Sequence, residues 1–512
     1  MNTKTGKNSP LVGRRAGIVL HLASLPGPYG MGDIGDGALS FIDALSGMHL
    51  GVWQFLPTGP TAYGDSPYQP LSVFAGNENL IGIEPLLRAG LIGEDEARPL
   101  RSLPENHVDY ARLIPAKKTL LARAAKRFMS NAKSKLKAPY EDFLHLHDER
   151  WLDDYALYRV LKTRHGERPW PEWARPYALR DPDAINRVRN SSAIAIERVK
   201  FIQFLFYKQW QKLHEHAKEK NICLFADMPI YIALDSVDSW AHPELLRIAQ
   251  VGRPTHVAGV PPDYFSEDGQ LWGNPLYDWD YHAASAYQWW IERLRHASGM
   301  ADLVRIDHFR GFEAYWSVPA ESANARNGTW EPGPGSALFD AMRNELGQLP
   351  IVAEDLGVIT PQVDALRNHH EIPGMKVLQF ELSDPDFQSA DIEENCVCYT
   401  ATHDNDTTVG WFQGGDKDTR TTEEVELTRA SALQWTGGTK KTIHLDMIRL
   451  AFASQAKLAM APMQDYLGLG SEARLNVPGT TGGNWSWRLE AGQLTPELCE
   501  TVRELVRESS RG

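Results

Sequence analysis

The segment that decides the fold class reads LVRID (Leu303–Asp307), a short apolar run that ends in a carboxylate. Two further runs of the same kind are CLFAD (Cys223–Asp227) and PIVAE (Pro350–Glu354). Runs of this length that are rich in Val, Ile and Leu are typical of strands that a parallel sheet buries on both faces. The acidic residue at the end of each run marks where the chain leaves the buried layer.

The sequence contains eight such apolar runs in all, and helical patterns lie between several of them. The runs are Ala16–His21, Gly51–Pro57, Cys223–Asp227, Leu303–Asp307, Pro350–Glu354, Lys376–Glu381, Cys396–Asp404 and Lys457–Gln464. Helical patterns cover Ile194–His216, Thr360–His369 and Glu424–Gln434. Eight strands that alternate with helices predict an α/β fold, a (β/α)8 TIM barrel. A doubly wound open sheet is the alternative, but no G-x-G-x-x-G follows a first strand.

The spacing of the runs predicts one catalytic barrel domain over residues 1–512, with two insertions. Residues 85–200 are expected to form an inserted, mainly helical subdomain, with helices over Leu113–Lys137 and Tyr140–Lys162. Residues 232–302 contain a stretch rich in Gly, Pro and aromatic residues (Val257–Trp279), which predicts an ordered lid over the site. The chain ends soon after the eighth run, so we expect no C-terminal β-sandwich domain.

The composition of the chain argues against several classes of function. Lys and Arg number 53 and Asp and Glu 66, which gives a net charge of −13 and argues against a nucleic-acid partner. The nine basic residues between Arg112 and Lys137 are interpreted as a solvated helix face. Four cysteines are too few for a disulfide framework, and no apolar run is long enough to span a membrane. The polar N-terminus lacks a signal-peptide pattern, so we expect a cytoplasmic protein without a membrane partner.

The strand ends of a barrel point at one shared mouth, so their polar residues are the candidate site. These residues are Asp227, Asp307, His308, Glu354, Asp355, His403 and Asp404. Arg305 and Asp307 lie two apart on a strand and share a face, so the guanidinium should lower the pKa of Asp307. An ionised carboxylate is what a nucleophile at a sugar carbon requires, although a purely structural ion pair is the alternative.

Glu354 and its neighbour Asp355 follow an apolar strand, and such surroundings raise the pKa of a carboxyl group until it can donate a proton near neutral pH. On a strand the two side chains face opposite ways, and the residues alone leave open which one faces the site. Asp404 can stabilise positive charge and His403 can donate to a hydroxyl group. The alternative for these two residues is an ordinary polar turn.

Two chemistries fit several carboxylates at one barrel mouth: retaining glycoside chemistry, and a divalent metal held by oxygen ligands. Aromatic-rich loops favour the sugar, because sugar rings stack on aromatic faces. Arg305 disfavours a cation beside Asp307, and the sequence has no H-E-x-x-H. We therefore expect neither a metal nor a cofactor in the reaction.

Eight long motifs resemble those of the 4-α-glucanotransferases, also called amylomaltases or disproportionating enzymes, within the α-amylase clan. They are Ser24–Gly35, Leu56–Asn77, Asp227–Ala233, Gly259–Trp279, Arg305–Phe312, Ala353–Gly357, Thr402–Thr407 and Arg474–Trp485, and the resemblance runs from about Arg15 to Arg488. Three positions depart from the family pattern, namely Ala226, Ala401 and Glu78, and none of them is a proposed catalytic group.

The resemblance implies a role for each site residue. Asp307 matches the nucleophile, Glu354 the general acid/base and Asp404 the transition-state stabiliser. The residues that match or are expected to support substrate binding are Arg305, His403, Ser66, Tyr68, Gln69, Asp227, His308, Tyr264, Phe265 and Tyr63. The implied activity is transfer of α-1,4-glucan segments through a covalent glucosyl-enzyme, with maltooligosaccharides as donors and acceptors and glucose as acceptor or product.

Three other functions compete with transfer. An α-1,4-glucan hydrolase would use the same three carboxylates, and only the fate of the intermediate separates the two activities. A glucan-binding protein with an inactive site is disfavoured, because such a scaffold has no need for all three carboxylates. A metal-dependent barrel enzyme is the last alternative. The residues do not fix an oligomeric state.

Overall fold

A computed structural model describes residues 9–61, 63–131, 133–250, 252–262, 267–384, 386–415, 418–480 and 482–512. Within these residues the chain forms 14 strands. They are β1 (Arg15–Val19), β2 (Val52–Gln54), β3 (Cys223–Pro229), β4 (Ile248–Gln250), β5 (Arg253–Pro254), β6 (His256–Val260), β7 (Gln270–Pro275), β8 (Leu303–Asp307), β9 (Ala314–Pro319), β10 (Thr329–Pro332), β11 (Ile351–Ala353), β12 (Gly374–Val377), β13 (Cys396–Tyr399) and β14 (Leu458–Pro462).

Eight of these strands make one parallel sheet, in the order β11-β8-β3-β2-β1-β14-β13-β12. The sheet closes on itself where the amide of Ala353, at the end of β11, donates to the carbonyl oxygen of Pro373, just before β12, at 2.8 Å. Helices cover the outside of the closed sheet. The predicted (β/α)8 TIM barrel is confirmed, and the open doubly wound sheet is excluded.

The helices are α1 (Asp36–Gly47), α2 (Ile83–Arg88), α3 (Glu94–Arg101), α4 (Tyr110–Ser130), α5 (Lys137–His147), α6 (Asp153–Arg164), α7 (Arg175–Ala178), α8 (Pro182–Ser191), α9 (Ala193–Glu219), α10 (Val237–Ala241), α11 (Trp279–Ala284), α12 (Gln288–Met300), α13 (Ser336–Leu346), α14 (Pro361–His369), α15 (Leu378–Glu381), α16 (Thr408–Gln413), α17 (Thr422–Thr436), α18 (Ile443–Ala453), α19 (Met463–Tyr466) and α20 (Pro496–Glu508). Among the described residues, no helix is both long and apolar enough to cross a bilayer.

Several strands are shorter than the runs that predict them, and β12 and β13 end the furthest before the ends of their runs. The run Lys376–Glu381 straddles a boundary, because β12 ends at Val377 and the next four residues form the short helix α15. Strand β13 ends at Tyr399, and the polar residues that follow satisfy one another in a loop, where Thr402 donates through its amide and hydroxyl to the side chain of Asn405. His403 and Asp404 therefore lie in a loop rather than on the strand.

The barrel interior explains how β8 delivers its charged residues. Leu303 packs inside the barrel with Val352, Phe225 and other apolar side chains, while Val304 and Ile306 pack outward against helices. The alternation continues along the strand, so Arg305 and Asp307 point to the inside. Successive side chains of a strand alternate in this way, and here the alternation carries two charges up to the barrel mouth.

Between β2 and β3 the chain forms eight helices, α2 to α9. The helix expected over Tyr140–Lys162 is broken, because a single π turn at Asp148–Leu152 separates α5 from α6. The basic helix α4 is not solvated throughout, since Lys117 is buried and donates through Nζ to the carbonyl oxygen of Ile81 at 2.5 Å. Burial lowers the pKa of Lys117 to about 8.

A second, antiparallel sheet has the order β10-β9-β6-β7. Two of its strands, β6 and β7, come from the Gly- and Pro-rich stretch, and the other two, β9 and β10, come from residues after β8. The predicted insertion covers residues 232–302 only, so the contribution of residues 314–332 to this sheet is not predicted. Because β9 and β6 pair directly, the two segments form a single sheet.

Candidate active site

The carboxyl ends of the barrel strands open into a cavity of about 1640 Å³. The predicted site residues that line it are Ser66, Tyr68, Gln69, Arg305, Asp307, His308, Glu354, Asp355, His403 and Asp404. Asp227 does not line the cavity. The structure thus brings together predicted residues from four separate parts of the sequence around one space large enough for several sugar rings.

Arg305 lies at the centre of a charge network on the cavity floor. Its Nη1 donates to both carboxylate oxygens of Asp227, at 2.8 and 2.7 Å, and its Nη2 lies 3.0 Å from Oδ1 of Asp307. The Asp227 side chain is fully buried. Asp227 therefore holds Arg305 in position, and its own side chain is not accessible to the substrate.

The predicted direction of the Asp307 pKa is wrong. Burial raises the pKa of Asp307, the Arg305 guanidinium lowers it, and the carboxylates of Asp227 and Asp404 raise it further, so that it lies above its usual value. The arginine alone would lower the pKa, but burial has the larger effect. Because Arg305 is shared with Asp227, its charge neutralises Asp307 only in part.

Glu354 follows β11 and lies against the loop after β8. Its Oε2 accepts from the backbone amide of His308 at 2.7 Å, and its Oε1 accepts from the amide of Leu356 at 3.0 Å. Burial, with a further contribution from Asp307, raises the pKa of Glu354 to about 7 against the opposing effects of Arg305 and these amides. Glu354 is thus a carboxyl group fixed by backbone and able to exchange a proton near neutral pH.

Asp355 points away from the network. Its Oδ1 accepts from the amide of Met375 at 2.8 Å, and its Oδ2 lies 3.2 Å from Nε of Arg367 on α14. Asp355 does not act as the N-cap of α14, where Thr360 takes the N-cap position. Of the two neighbouring acids, Glu354 is the one that contacts the loop carrying His308.

The loop after β13 surrounds Asp404 with donors. Nε2 of His403 lies 3.3 Å from Oδ2 of Asp404, and Nδ2 of Asn476 donates to Oδ1 at 2.6 Å. Burial raises the pKa of Asp404, but His403, Asn476 and Arg305 outweigh it and hold the pKa well below its usual range. Burial lowers the pKa of His403, but Asp404 outweighs this effect and raises it. Both shifts favour the ion pair.

Tyr68 joins the two halves of the network. Its hydroxyl donates to Oδ2 of Asp227 at 2.8 Å, and its ring stacks on His403 with a centroid separation of 5.1 Å and an interplanar angle of 16°. Trp485 lies against both rings, 5.9 Å from Tyr68 and 6.1 Å from His403. This aromatic cluster fixes the orientation of His403 and hence of the donor that faces Asp404.

His308 occupies a left-handed backbone position (φ 57°) directly after β8. Its ring lies edge-on to Trp272, with 4.8 Å between centroids, and its Nε2 is buried without a hydrogen-bond partner among the described residues. Burial lowers the pKa of His308 to about 3, so the ring is neutral. A neutral imidazole with an unpaired nitrogen at the cavity wall is a ready partner for a sugar hydroxyl group.

The loop at Ser66–Gln69 forms another wall. Ser66 orders this loop by accepting from the amide of Tyr68 at 3.3 Å, and Gln69 donates to Oδ1 of Asn274 on β7 at 3.2 Å. Tyr63 begins a short 3-10 turn, and its side chain lies outside the described set. Tyr264 and Phe265 lie outside the described residues altogether.

Comparison with known proteins decides the family of this chain. The family model described as 4-alpha-glucanotransferase matches residues 20–495. The chain belongs to the 4-alpha-glucanotransferase family. Among curated relatives it is 42% identical to the 4-alpha-glucanotransferase of Thermus thermophilus over 506 residues, covering 97% of this chain and 99% of that one. The Synechocystis enzyme of the same name is 43% identical and covers 95% of each chain.

Solved structures agree with the family assignment. An amylomaltase from Streptococcus agalactiae in complex with acarbose superposes with a TM-score of 0.92 and 36% identity, covering 98% of this chain and all of that one. The chain is thus a glycosyltransferase of the 4-alpha-glucanotransferase type, which acts on α-1,4-glucans. This membership favours transfer of glucan segments over the hydrolase alternative.

In this 4-alpha-glucanotransferase the structure adds cavity residues that were not assigned roles from the sequence. They are Asn476, Arg474, Trp485, Trp272 and Asn274. Arg474 donates to the backbone carbonyl of Asp404 at 2.7 Å, so the tail motif Arg474–Trp485 holds the Asp404 loop from two sides. The only sequence signal for these residues was their place in long Gly- and aromatic-rich motifs, which does not say which strand end they meet.

Proposed function

We propose that this chain transfers α-1,4-glucan segments by double displacement, with Asp307 as nucleophile, Glu354 as general acid/base and Asp404 as transition-state stabiliser. One observation carries the assignment: three carboxyl groups line one cavity in three different environments. The pKa of Glu354 is raised, that of Asp404 is held low, and Asp307 contacts the guanidinium of Arg305. Distinct environments of this kind separate an acid from an anion.

In the first half-reaction Glu354 donates its proton to the glycosidic oxygen, and the bond from this oxygen to the anomeric carbon breaks. A carboxylate oxygen of Asp307 forms a bond to that carbon, which gives a covalent glycosyl ester. The reducing-end fragment leaves with the proton. Glu354 can act in this step because each of its oxygens accepts only one amide hydrogen bond, so a lone pair remains to carry the proton.

In the second half-reaction the 4-hydroxyl group of an incoming glucan attacks the anomeric carbon. Glu354, now ionised, accepts the hydroxyl proton, and the ester bond to Asp307 breaks and releases the carboxylate. Two inversions retain the α-configuration. Maltooligosaccharides serve as donors and acceptors, and glucose serves as an acceptor or a product.

Asp404 acts between these two steps. The anomeric carbon carries developing positive charge in each transition state, and a carboxylate held ionised by His403 and Asn476 stabilises that charge without rearranging. Arg305 and His403 donate hydrogen bonds to the reacting glucose, and Ser66, Tyr68, Gln69 and His308 line the adjoining cavity. Asp227 holds Arg305 and Tyr68 in place.

Selectivity for a sugar acceptor over water requires a cavity that excludes water around the ester. We propose that residues 232–302 form a lid over this cavity, with Tyr264 and Phe265 at its tip, and that Tyr63 belongs to a secondary glucan site. Trp272 on β7, inside this range, already lines the cavity wall. We also propose that residues 1–512 form one catalytic barrel domain, into which a mainly helical subdomain is inserted at residues 85–200.

Incubation of the purified protein with maltotriose alone tests the function. Transfer to a sugar produces free glucose together with chains longer than maltotriose, resolved by chain length over time. Products limited to glucose and maltose at all times would mean that water takes the intermediate and the enzyme is a hydrolase. The Asp307→Asn variant is the control, and near-normal turnover by a pure sample would contradict its assignment as nucleophile.

A further inference from the structure

Three metal-ligating side chains meet on the outer helical layer of the barrel, and none of the three lines the catalytic cavity. Asp340 belongs to α13, His369 is the last residue of α14, and His370 follows it directly. One ligand atom of each side chain lies within 4.8 Å of the others. Within the described part of the chain, neither Asp340 nor His369 has a hydrogen bond or ion pair through its side chain, so both are available to a ligand.

His370 supplies a second, independent observation. It is only 2% exposed, and its Nε2 atom is buried without a hydrogen-bond partner among the described residues. Its ring lies between those of Phe339, 5.2 Å away between centroids, and His369, 4.7 Å away at 81°. Burying an unpaired polar nitrogen costs free energy, so natural structures retain few of them without a reason.

We propose that Asp340, His369 and His370 form a binding site for a divalent transition-metal ion of the Zn²⁺ class. Two imidazoles and one carboxylate are the ligand types that such ions prefer, whereas Mg²⁺ and Ca²⁺ prefer a shell of oxygen atoms. Water completes the coordination, because Asp340 and His369 are both exposed at the surface.

The backbone holds this site in place before any ion arrives. Arg343 on α13 donates through Nη2 to the carbonyl oxygen of His370 at 2.7 Å, and the amide of His370 donates to the carbonyl oxygen of Leu366 at 3.3 Å. The ligands on α13 and at the end of α14 are therefore already joined by one hydrogen bond between these helices. Binding then requires side-chain movement that brings the ligand atoms, which lie within 4.8 Å of one another, to coordination distance.

The location predicts a structural role that is separate from the reaction. Helices α13 and α14 precede and follow β11, the strand that leads into Glu354. His370 lies just before the amino end of β12, whereas the catalytic groups lie at the carboxyl ends of the strands. An ion here would tie two neighbouring helices together and stabilise this part of the barrel without contacting the glucan.

The test is a titration of chelator-treated full-length protein with Zn²⁺, followed by calorimetry, and with Co²⁺, followed by visible absorption. We expect one ion per chain, a higher melting temperature with Zn²⁺, and a Co²⁺ spectrum that reports nitrogen ligands. His369→Ala and Asp340→Asn change exposed residues, so both variants should fold. Each should lose at least about tenfold in affinity. His145→Ala removes an exposed histidine from α5 and should bind as the wild type does.

Two results would overturn the proposal. One is the absence of stoichiometric binding by the wild type at micromolar Zn²⁺. The other is equal affinity in the wild type, Asp340→Asn and His369→Ala, which would place any bound ion elsewhere on the chain. Neither result depends on glucan transfer, so the proposed function stands or falls separately.

Discussion

The loop after β11 and the loop after β13 each place one carboxyl group in the same cavity, yet they surround it differently. Glu354 meets backbone amides and another carboxyl group, and burial raises its pKa to about 7. Asp404 meets the imidazole of His403 and the amide of Asn476. These partners, with Arg305, outweigh the effect of burial and hold the pKa of Asp404 low.

This difference shows that the groups in contact with each carboxyl group, and not its burial alone, decide which of the two becomes the acid. Asp404 keeps 47% of its side chain accessible to the cavity, yet burial still raises its pKa, and the combined effect of His403, Asn476 and Arg305 outweighs that rise. Among the residues that the structure describes, no cation contacts the carboxylate of Glu354 directly. Two acidic residues of similar intrinsic pKa thus acquire opposite roles from the loops that carry them.

The sharpest test of this contrast compares Glu354→Ala with Asp404→Ala on two donors. With maltotriose, both variants should lose a factor of about 10²–10⁴ in rate. With α-maltosyl fluoride, whose leaving group needs no proton, Glu354→Ala should recover fast release of fluoride in the first turnover. Asp404→Ala should stay slow, because the charge on the anomeric carbon still lacks its stabiliser.

Fluoride release in a rapid-mixing experiment gives the measurement, and circular dichroism of both variants is the folding control. Equal rescue of the two variants by the fluoride donor would remove the distinction between acid and stabiliser. Equal failure would mean that Glu354 does more than carry a proton.

A smaller effect should follow from removing the amide that supports Asp404. Asn476→Ala deletes a hydrogen bond to a charged group, worth about 1.5–3 kcal/mol, and should lower kcat/KM by up to about 10²-fold. The pKa of Asp404 should rise, because Asn476 is one of the groups that hold it low. Asn324→Ala is the matched control, since Asn324 donates to Asp268 at 3.1 Å in an exposed asparagine–aspartate pair. Equal kinetics of the two variants would contradict the role of Asn476.

The pH profile of the wild-type rate should have an acid limb and an alkaline limb. The proton on Glu354 is present below its raised pKa and is lost above about pH 7, so the rate should fall on the alkaline side. The nucleophile is lost as Asp307 is protonated, and its raised pKa moves the acid limb above the usual range for aspartate. With α-maltosyl fluoride the alkaline limb of the first step should disappear. An alkaline limb that persists with this donor would assign it to another group.

Much of the fold could be predicted from the sequence, because buried parallel strands leave a clear apolar signal. The β8 run was placed with its observed bounds, Leu303–Asp307. Pairing between segments that are far apart in the sequence leaves no such signal. Strand β9 pairs with β6 in the second sheet, although β8 of the barrel lies between these two strands in the sequence. The π turn at Asp148–Leu152 likewise interrupts a continuous helical pattern.

The candidate site was predictable where chemistry follows directly from a strand end. Glu354 and Asp307 were found in this way, and the family motif chose Glu354 over Asp355. The direction of the Asp307 pKa is not predictable from the sequence, because it depends first on burial of the carboxyl group and then on Asp227, which shares Arg305 from another strand. Asn476 comes from 72 residues further along the chain than Asp404, and no local pattern joins the two.

The smallest effect on activity, and a clear effect on stability, should come from the neighbour of Glu354. Asp355→Asn weakens the contact with Arg367, a buried guanidinium, and should lower the free energy of unfolding by about 1–3 kcal/mol. Because Asp355 holds Met375 and α14 rather than the glucan, kcat/KM should stay near the wild-type value. Urea unfolding followed by tryptophan fluorescence measures the first quantity, and maltotriose kinetics measures the second. Glu354→Gln is the matched variant, with the reverse outcome: activity falls while stability changes little. If Asp355→Asn lost activity as Glu354→Gln does, with unchanged unfolding, the two neighbours would have to exchange roles.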